Sequence, residues 1–216
     1  MTPNYDKAAT MATELLIEHA ITAAPVSPLP MLKRPNVLVV SFTEVSAQTG
    51  LDRDKVLSVF SNTQDAVTSC FIENGQKNYV VAYNQRLPIH TAQKALARQL
   101  GHVVLEHDGS RPDDVRKAEE TCFAYHLLCP RPLIRAVQEA GIEITMNVLT
   151  SMTSCDSDCV AGMKDLQCAH VPAELNRKVK ALFADYVKNF VNYRKTVTVD
   201  NSAPVDFGHY LEGYVD

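Results

Sequence analysis

The sequence predicts an α+β fold, in which a small mixed sheet with one β-hairpin packs on helices. A β-branched, apolar run at residues 36–42 is typical of a strand. Two further strand-like runs, 66–72 and 77–83, flank an Asn-Gly turn, which is a strong hairpin signal. From residue 90 to residue 194, apolar side chains recur mainly at helical spacing. The chain has 216 residues, enough for one domain with an appended subdomain.

The first elements in the chain are a helix, a linker and a strand. Apolar residues recur at helical spacing from Tyr5 to Ile21. Three prolines then fall within 24–30, where they exclude regular helix and central strand. We expect the strand at 36–42 to be buried on both faces, because its apolar run does not alternate with polar residues. A short helix is expected at 52–61.

Two helices follow the hairpin. The first spans 90–106 and ends at Asp108-Gly109. The second opens with Ser110 as its capping residue, has a proline in its first turn, and runs to Cys129. Pro130 ends it, because proline cannot continue the hydrogen-bonded ladder of a helix.

The C-terminal part is predicted to be helical as well. A helix spans 132–141, and the segment 143–163 begins as a β-branched stretch and continues as helix. The longest helix is expected at 172–194, and the tail, 197–216, is polar and expected to be loosely held. The long helix carries one apolar stripe, formed by Leu175, Val179, Leu182, Tyr186, Phe190 and Tyr193.

Composition narrows the function classes. The net charge is −4 and the sequence pI is about 6.0, so we expect no direct binding to nucleic acid. The N-terminus lacks a basic segment followed by an apolar one, and no apolar run is long enough for a membrane span. We therefore expect a cytoplasmic protein whose six cysteines are reduced thiols or metal ligands.

The helix at 90–106 carries a degenerate zinc-binding motif. Zinc peptidases often place His-Glu-x-x-His on a helix, where the two histidines bind the metal and the glutamate deprotonates the bound water. Here the same five positions read Arg98-Gln99-Leu100-Gly101-His102. A guanidinium has no lone pair for a metal, and an amide does not accept a proton at neutral pH.

The region from residue 37 to residue 133 resembles the ImmA/IrrE family of zincin-like metallopeptidases. The resemblance implies a zincin-like fold and, often, a role in cleaving or controlling DNA-binding repressors. The motifs that carry it are Tyr83-Asn84 at the end of the hairpin, Gln99-Leu100-Gly101-His102 followed by Val103-Val104-Leu105, and Phe123-Ala124-x-x-Leu127-Leu128-x-Pro130.

The resemblance also assigns roles to positions. The first ligand histidine falls on Arg98, the general base on Gln99, and the third ligand on Lys117. Glu119 and Glu120 lie nearby, and a shift of register would restore one of them. We expect no catalytic residue and no cofactor in this remnant cleft, and we expect Arg98 to pair with one of the two glutamates. The expected cleft residues are Arg98, Gln99, His102, Lys117, Glu119 and Glu120.

Two further groups of residues are candidate metal ligands. His90 and His107 flank the motif helix, and either could complete a rebuilt site. Separately, Cys155, Cys159, Cys168 and His170 lie within sixteen residues and could form a structural zinc site. Their spacing is not that of a standard zinc finger, and buried thiols in a helix contact are the alternative. Three other cysteines, Cys70, Cys122 and Cys129, are interpreted as core.

The sequence therefore predicts four segments. These are an N-terminal helix and proline-rich linker (1–30), an ImmA/IrrE-like domain (31–141), a cysteine-containing helical extension (142–196) and a polar tail (197–216). The favoured function is a non-catalytic domain that binds a protein partner, such as a repressor or a phage or stress regulator. The alternatives are an active metal-dependent endopeptidase with displaced ligands, and a structural or oligomerisation module led by the long helix.

Overall fold

The structure, a computed structural model, describes residues 1–59, 65–153, 155–164, 166, 169–196, 202–212 and 214–215, without the side chains of residues 53, 57 and 59. The predicted α+β class is confirmed. The strands are β1 (Val37–Ser41), β2 (Ala66–Glu73) and β3 (Gln76–Tyr83). The helices are α1 (Tyr5–Glu18), α2 (Phe42–Thr49), α3 (Arg53–Val59), α4 (Ile89–Val104), α5 (Asp113–Leu128), α6 (Arg131–Glu139), α7 (Met146–Met152), α8 (Ser157–Lys164), α9 (Ala173–Leu182) and α10 (Ala184–Thr196).

The three strands form a mixed sheet in the order β1-β3-β2. The predicted hairpin joins β2 to β3, which run antiparallel, while β1 runs parallel to β3. Asn74 and Gly75 both adopt positive φ, as the two central residues of a tight hairpin turn require. The order leaves β2 at one edge of the sheet.

The first strand differs from the prediction in two ways. It is not buried on both faces: β1 is an edge strand, and Leu38 on its outer face is 58% exposed. The chain also turns directly into α2, a helix that the prediction missed. Its sequence signal is a capping box, in which the Ser41 side chain accepts from the Glu44 N–H and Glu44 accepts from the Ser41 N–H.

Helices α1, α4 and α5 pack together beneath the inner face of the sheet. Two of their ends differ from the prediction. Helix α1 ends at Glu18, before the left-handed residue Ala20, rather than at residue 21. Helix α5 begins at Asp113, with Pro112 as its cap, because the Ser110 hydroxyl donates to Asp108 instead of capping the helix.

The expected long helix at 172–194 is two helices, α9 and α10, separated by a turn at Phe183. The longest helices are instead α4 and α5, each of 16 residues. Helix α9 packs on α1 and α6, so its part of the apolar stripe lies in the core of the same chain. Tyr193, at the far end of the stripe, is 61% exposed. The β-branched start of segment 143–163 is also helical, since Thr145 caps α7.

The tail is held more firmly than expected over residues 202–212. Phe207, Tyr210 and Leu211 are buried, and the Tyr210 hydroxyl donates to the backbone carbonyls of α5 and its cap, at Tyr125 and Cys129. The polar composition of the tail did not indicate that these aromatic side chains are buried. Residues 197–201, 213 and 216 of the tail lie outside the described part of the chain.

Candidate functional site

The degenerate motif lies in a cleft of about 350 Å³ between the start of β2 and helices α4 and α5. Residues 65–68 form its wall on the side of the sheet. Its helical walls consist of Lys94, Ala95, Arg98, Gln99 and His102 from α4, and Asp113, Arg116, Lys117 and Glu120 from α5. The cleft thus contains five of the six expected residues, with Lys117 and Glu120 on α5 opposite the motif, and Glu119 does not line it.

Arg98 and His102 both contact the Glu120 carboxylate. They lie four residues apart, so they project from the same face of α4 toward α5. Arg98 pairs with one carboxylate oxygen of Glu120, and His102 Nε2 contacts the other. The Glu120 side chain is only 3% exposed, whereas that of Arg98 is 39% exposed. A buried carboxylate is therefore neutralised by one cation that reaches it from the cleft.

Gly101 permits this contact between the helices. A Cβ atom at this position would lie 3.3 Å from the Glu120 Cα and 3.2 Å from a ring carbon of Phe123. The absent side chain lets α5 approach α4 closely, and that approach brings the Glu120 carboxylate within reach of the motif.

A second layer of polar side chains lies behind the cleft. His102 Nδ1 is 3.0 Å from His107 Nδ1, and His107 Nε2 is 2.8 Å from a Glu119 oxygen. Glu119 also accepts from Arg111 and, at 2.8 Å, from the backbone N–H of Asn4, the cap of α1. Glu119 thus fixes the start of α1 and faces away from the cleft, while Glu120 faces into it.

Burial and neighbouring charges set the protonation of this network. Burial raises the pKa of Glu120, but the hydrogen bond from His102 and the charges of His102 and Arg98 outweigh it, so the net pKa is lowered. Glu120 is therefore ionised at neutral pH. Burial lowers the pKa of His107, so this ring is neutral, donating at Nε2 to Glu119 and accepting at Nδ1 from His102. Both ring nitrogens of His102 then face acceptors.

These side chains do not supply the ligand set of a catalytic zinc. Such a site usually has three protein ligands and one open position. His102 and Glu120 could each bind a metal, but the position of the first ligand histidine is Arg98, whose guanidinium pairs with Glu120 and cannot bind a metal. Gln99 lines the cleft as an amide and is 8% exposed. His90 is exposed and does not line this cleft, and His107 supports His102 from behind.

The cysteine group is only partly described. Cys155 and Cys159 are buried, and the Cys155 thiol hydrogen-bonds with Cys159 and with Cys129 at the end of α5, a neighbour the sequence did not indicate. His170 is exposed, and its backbone N–H donates to Asp6. Cys168 lies outside the described residues, so the structural zinc site stays a prediction. Within the described ranges, no group of three or more histidine, cysteine or acidic side chains is arranged to hold a metal ion.

The mixed sheet, the paired helices and the degenerate motif together define a zincin-like domain related to metallopeptidases. Residues 53–149 match the family model described as the IrrE N-terminal-like domain, Peptidase_M78. This match supports the resemblance of this region to the ImmA/IrrE family that the motifs indicated. No curated protein and no solved structure matches the chain significantly. In the described ranges, none of the helices combines the length and apolar character that crossing a membrane requires.

Proposed function

We propose that this ImmA/IrrE-like domain is non-catalytic and binds an extended segment of a protein partner in the cleft, in the cytoplasm. The observation that carries the proposal is the ion pair between Arg98 and Glu120, because the resemblance assigns a metal-ligand histidine to the position of Arg98. By analogy with the family, the partner is a transcriptional repressor or another phage or stress regulator.

The residues at the ligand and general-base positions of the motif oppose catalysis. Disturbing a residue that merely supports a metal ligand typically costs about 10–100-fold in affinity or activity. Here a ligand position holds Arg98, and the position of the general base holds Gln99. Arg98 additionally places a positive charge beside the one buried carboxylate of the cleft. A cation that bound there would have to displace the guanidinium first.

The open edge of β2 is a place where an extended segment could bind. The Asn84 N–H donates to the Asp65 carbonyl, which sets the alternation of hydrogen bonds along the antiparallel hairpin. By this alternation, the backbone N–H and C=O of Thr68 point away from β3, toward the open edge beside the cleft. An unpaired strand edge is a template for adding an extended segment.

The side chains of the cleft favour an acidic residue in that segment. Arg98 pairs with Glu120 and Arg116 pairs with Asp113, but Lys94 and Lys117 form no ion pair with any described residue. The Thr68 hydroxyl is buried without a hydrogen-bond partner. A carboxylate on the bound segment would satisfy these donors.

Zinc binding tests the non-catalytic part. In a Cys155→Ser background, which removes one of the four candidate ligands of the cysteine group, we expect no zinc binding that depends on His102. The double change Arg98→His plus Gln99→Glu should then gain about one equivalent of zinc, and Glu120→Gln should remove it again. Zinc bound by the chain with its natural cleft and lost on His102→Ala would favour the alternative of an active metalloenzyme.

A proline substitution on the open edge of β2 tests the proposed binding of a partner segment. Thr68→Pro removes an outward N–H and should leave the hairpin ladder intact, because proline is tolerated on edge strands. It should weaken binding of a candidate repressor about tenfold or more in a fluorescence anisotropy titration. Ile72→Pro is the matched control, because Ile72 lies on the same edge, points the same way and does not line the cleft. Equal effects of the two changes would refute docking beside the cleft.

A further inference from the structure

The half of β2 next to the hairpin turn has unpaired backbone groups along its outer edge. The Tyr79 N–H donates to the Asn36 carbonyl on the side of β1, so Tyr79 and its facing residue Cys70 turn their backbone groups away from each other. By the same alternation, the N–H and C=O of Ile72 point toward the open edge. No described residue forms a hydrogen bond with these outward groups of Cys70 and Ile72. Such groups are a template for another strand.

Strand β2 lacks the features with which proteins usually protect a sheet edge. Its eight residues include no lysine and no proline, and its pairing with β3 is continuous from Ala66 to Glu73, without a bulge. The strand at the other edge differs, because β1 has only five residues, follows Lys33-Arg34-Pro35 and passes directly into α2. The sequence therefore blunts one edge of the sheet and leaves the other open to pairing.

Two exposed apolar side chains are adjacent on this open edge. Phe71 is 47% exposed and Ile72 is 68% exposed. Side chains alternate along a strand, so the two point to opposite faces of the sheet. Both lie near the hairpin turn, and neither lines the cleft. A strand added here would pair the backbone and remove apolar surface from water on both faces.

We propose that residues 69–73 pair antiparallel with the same segment of a second copy of the chain. The two sheets then form one sheet of six strands, with the two β2 strands side by side at its centre. In the proposed register, Phe71 faces Phe71 of the second copy across the two-fold axis, and Ile72 faces Cys70. The outward groups of these Cys70 and Ile72 residues exchange four hydrogen bonds between the chains. This dimer is independent of the proposed function, which uses the cleft end of β2.

In this register the segment is complementary to itself. The two Phe71 residues meet at a position without hydrogen bonds, where facing Cα atoms are about 4.5 Å apart and side chains are closest. Aromatic pairs across strands stabilise a sheet. Ser69 faces Glu73 of the second copy, so its hydroxyl can donate to that carboxylate. The two Glu73 residues are offset by four residues, about 13 Å, which exceeds the screening length of about 8 Å at physiological salt.

The proposed ladder is short, and it leaves the cleft open. Thr68 and the residues before it extend beyond the paired segment, because the second copy turns away at its own Asn74. Five residues from each strand bury less than the about 1,200–2,000 Å² that is typical of a stable interface. We therefore expect a reversible dimer that forms at micromolar protein concentrations.

Sedimentation velocity of the full chain in reducing buffer, over a range of micromolar concentrations, measures the association. We expect an equilibrium between monomer and dimer. Phe71→Lys should weaken it about tenfold or more, because like charges directly opposite each other replace an aromatic pair. Leu38→Lys is the matched control and should leave the association unchanged. Leu38 is 58% exposed on the same face of the sheet as Phe71, but it lies on β1, at the other edge.

Cross-linking tests the register. In a Cys70→Ser background, Phe71→Cys places two thiols directly opposite each other, at a Cα separation of about 4.5 Å that a disulfide can span. Mild oxidation with copper phenanthroline should therefore convert this variant to a covalent dimer. Glu73→Cys in the same background is the control, because position 73 faces Ser69 and finds no thiol there.

Three results would overturn the proposal. The first is a natural chain that stays monomeric at every concentration, and the second is equal association of the natural chain and Phe71→Lys. The third is Phe71→Cys forming the covalent dimer no faster than Glu73→Cys. A monomeric chain that still binds a partner segment beside the cleft would refute the dimer and leave the proposed function intact.

Discussion

Replacing Arg98 by methionine is expected to destabilise the fold, because it removes the guanidinium that pairs with the buried Glu120 carboxylate. Methionine keeps most of the length and apolar volume of the arginine stem, so the change isolates the charge. The companion change is Glu120→Gln, which keeps the size of the side chain and removes its charge. The two changes and their combination form a double-mutant cycle.

The exposures of the two side chains set the magnitude. Breaking a fully buried ion pair by removing one partner costs about 3–5 kcal/mol, whereas an exposed pair contributes about 0–1 kcal/mol. Glu120 is 3% exposed and Arg98 is 39% exposed, so solvent screens one end of this pair. Allowing for that screening, we expect a coupling free energy of about 1–2 kcal/mol.

Urea unfolding at neutral pH measures the coupling, and the cleft contains its own control. Arg116 and Asp113 form an ion pair on the surface of α5, with Asp113 75% exposed. The same cycle on that pair, Arg116→Met with Asp113→Asn, should give a coupling near zero, because solvent screens an exposed pair. A coupling for Arg98 and Glu120 no larger than the control would refute the idea that the guanidinium neutralises a buried charge.

Three further predictions concern packing, capping and acid. Gly162→Ala should cost about 1–3 kcal/mol in chemical unfolding, because its Cβ would lie 2.0 Å from the hydroxyl oxygen of the buried Tyr125 phenol. Ser41→Ala should cost about 1 kcal/mol by the same measurement, since it removes the cap of α2. The pKa of His107 and that of Glu119 are lowered by folding, so the folded state binds fewer protons. Stability should therefore fall as pH drops below 6.5 and fall further below 4.5, the ordinary values of the two groups. His107→Gln should reduce the upper part of this loss, and the buried His126, whose pKa is also lowered, accounts for the rest.

The elements that the sequence predicted well are those set by local signals. Asn74-Gly75 specifies a tight turn, because few other residue pairs readily adopt its backbone conformations. The structure confirms the hairpin that this pair predicted. The break at Phe183 between α9 and α10 has no such signal, since neither glycine nor proline lies near it. The apolar run at residues 36–42 also did not predict that Leu38 is exposed, because such a run does not reveal which faces of a sheet the helices cover.

The register of the two glutamates illustrates the limit for the site. Adjacent residues on a helix point about 100° apart, so the order of Glu119 and Glu120 in the sequence does not say which one faces α4. Their directions depend on how α5 lies against α4, and that depends on the close approach at Gly101. The sequence thus indicated the members of the cleft, but only packing separates the carboxylate that meets Arg98 from the one that holds α1.

The ion pair also explains why the remnant cleft keeps its polar interior without a catalytic ligand set. A buried carboxylate is costly unless a cation or several hydrogen-bond donors accompany it. In a zinc site the metal would supply that charge, and here Arg98 supplies it from the position of a ligand. The support behind His102, which runs through His107 to Glu119, needs no metal, because Arg111 and the Asn4 N–H complete it. An arginine at position 98 is therefore compatible with a stable fold, because it supplies the positive charge that the buried carboxylate needs.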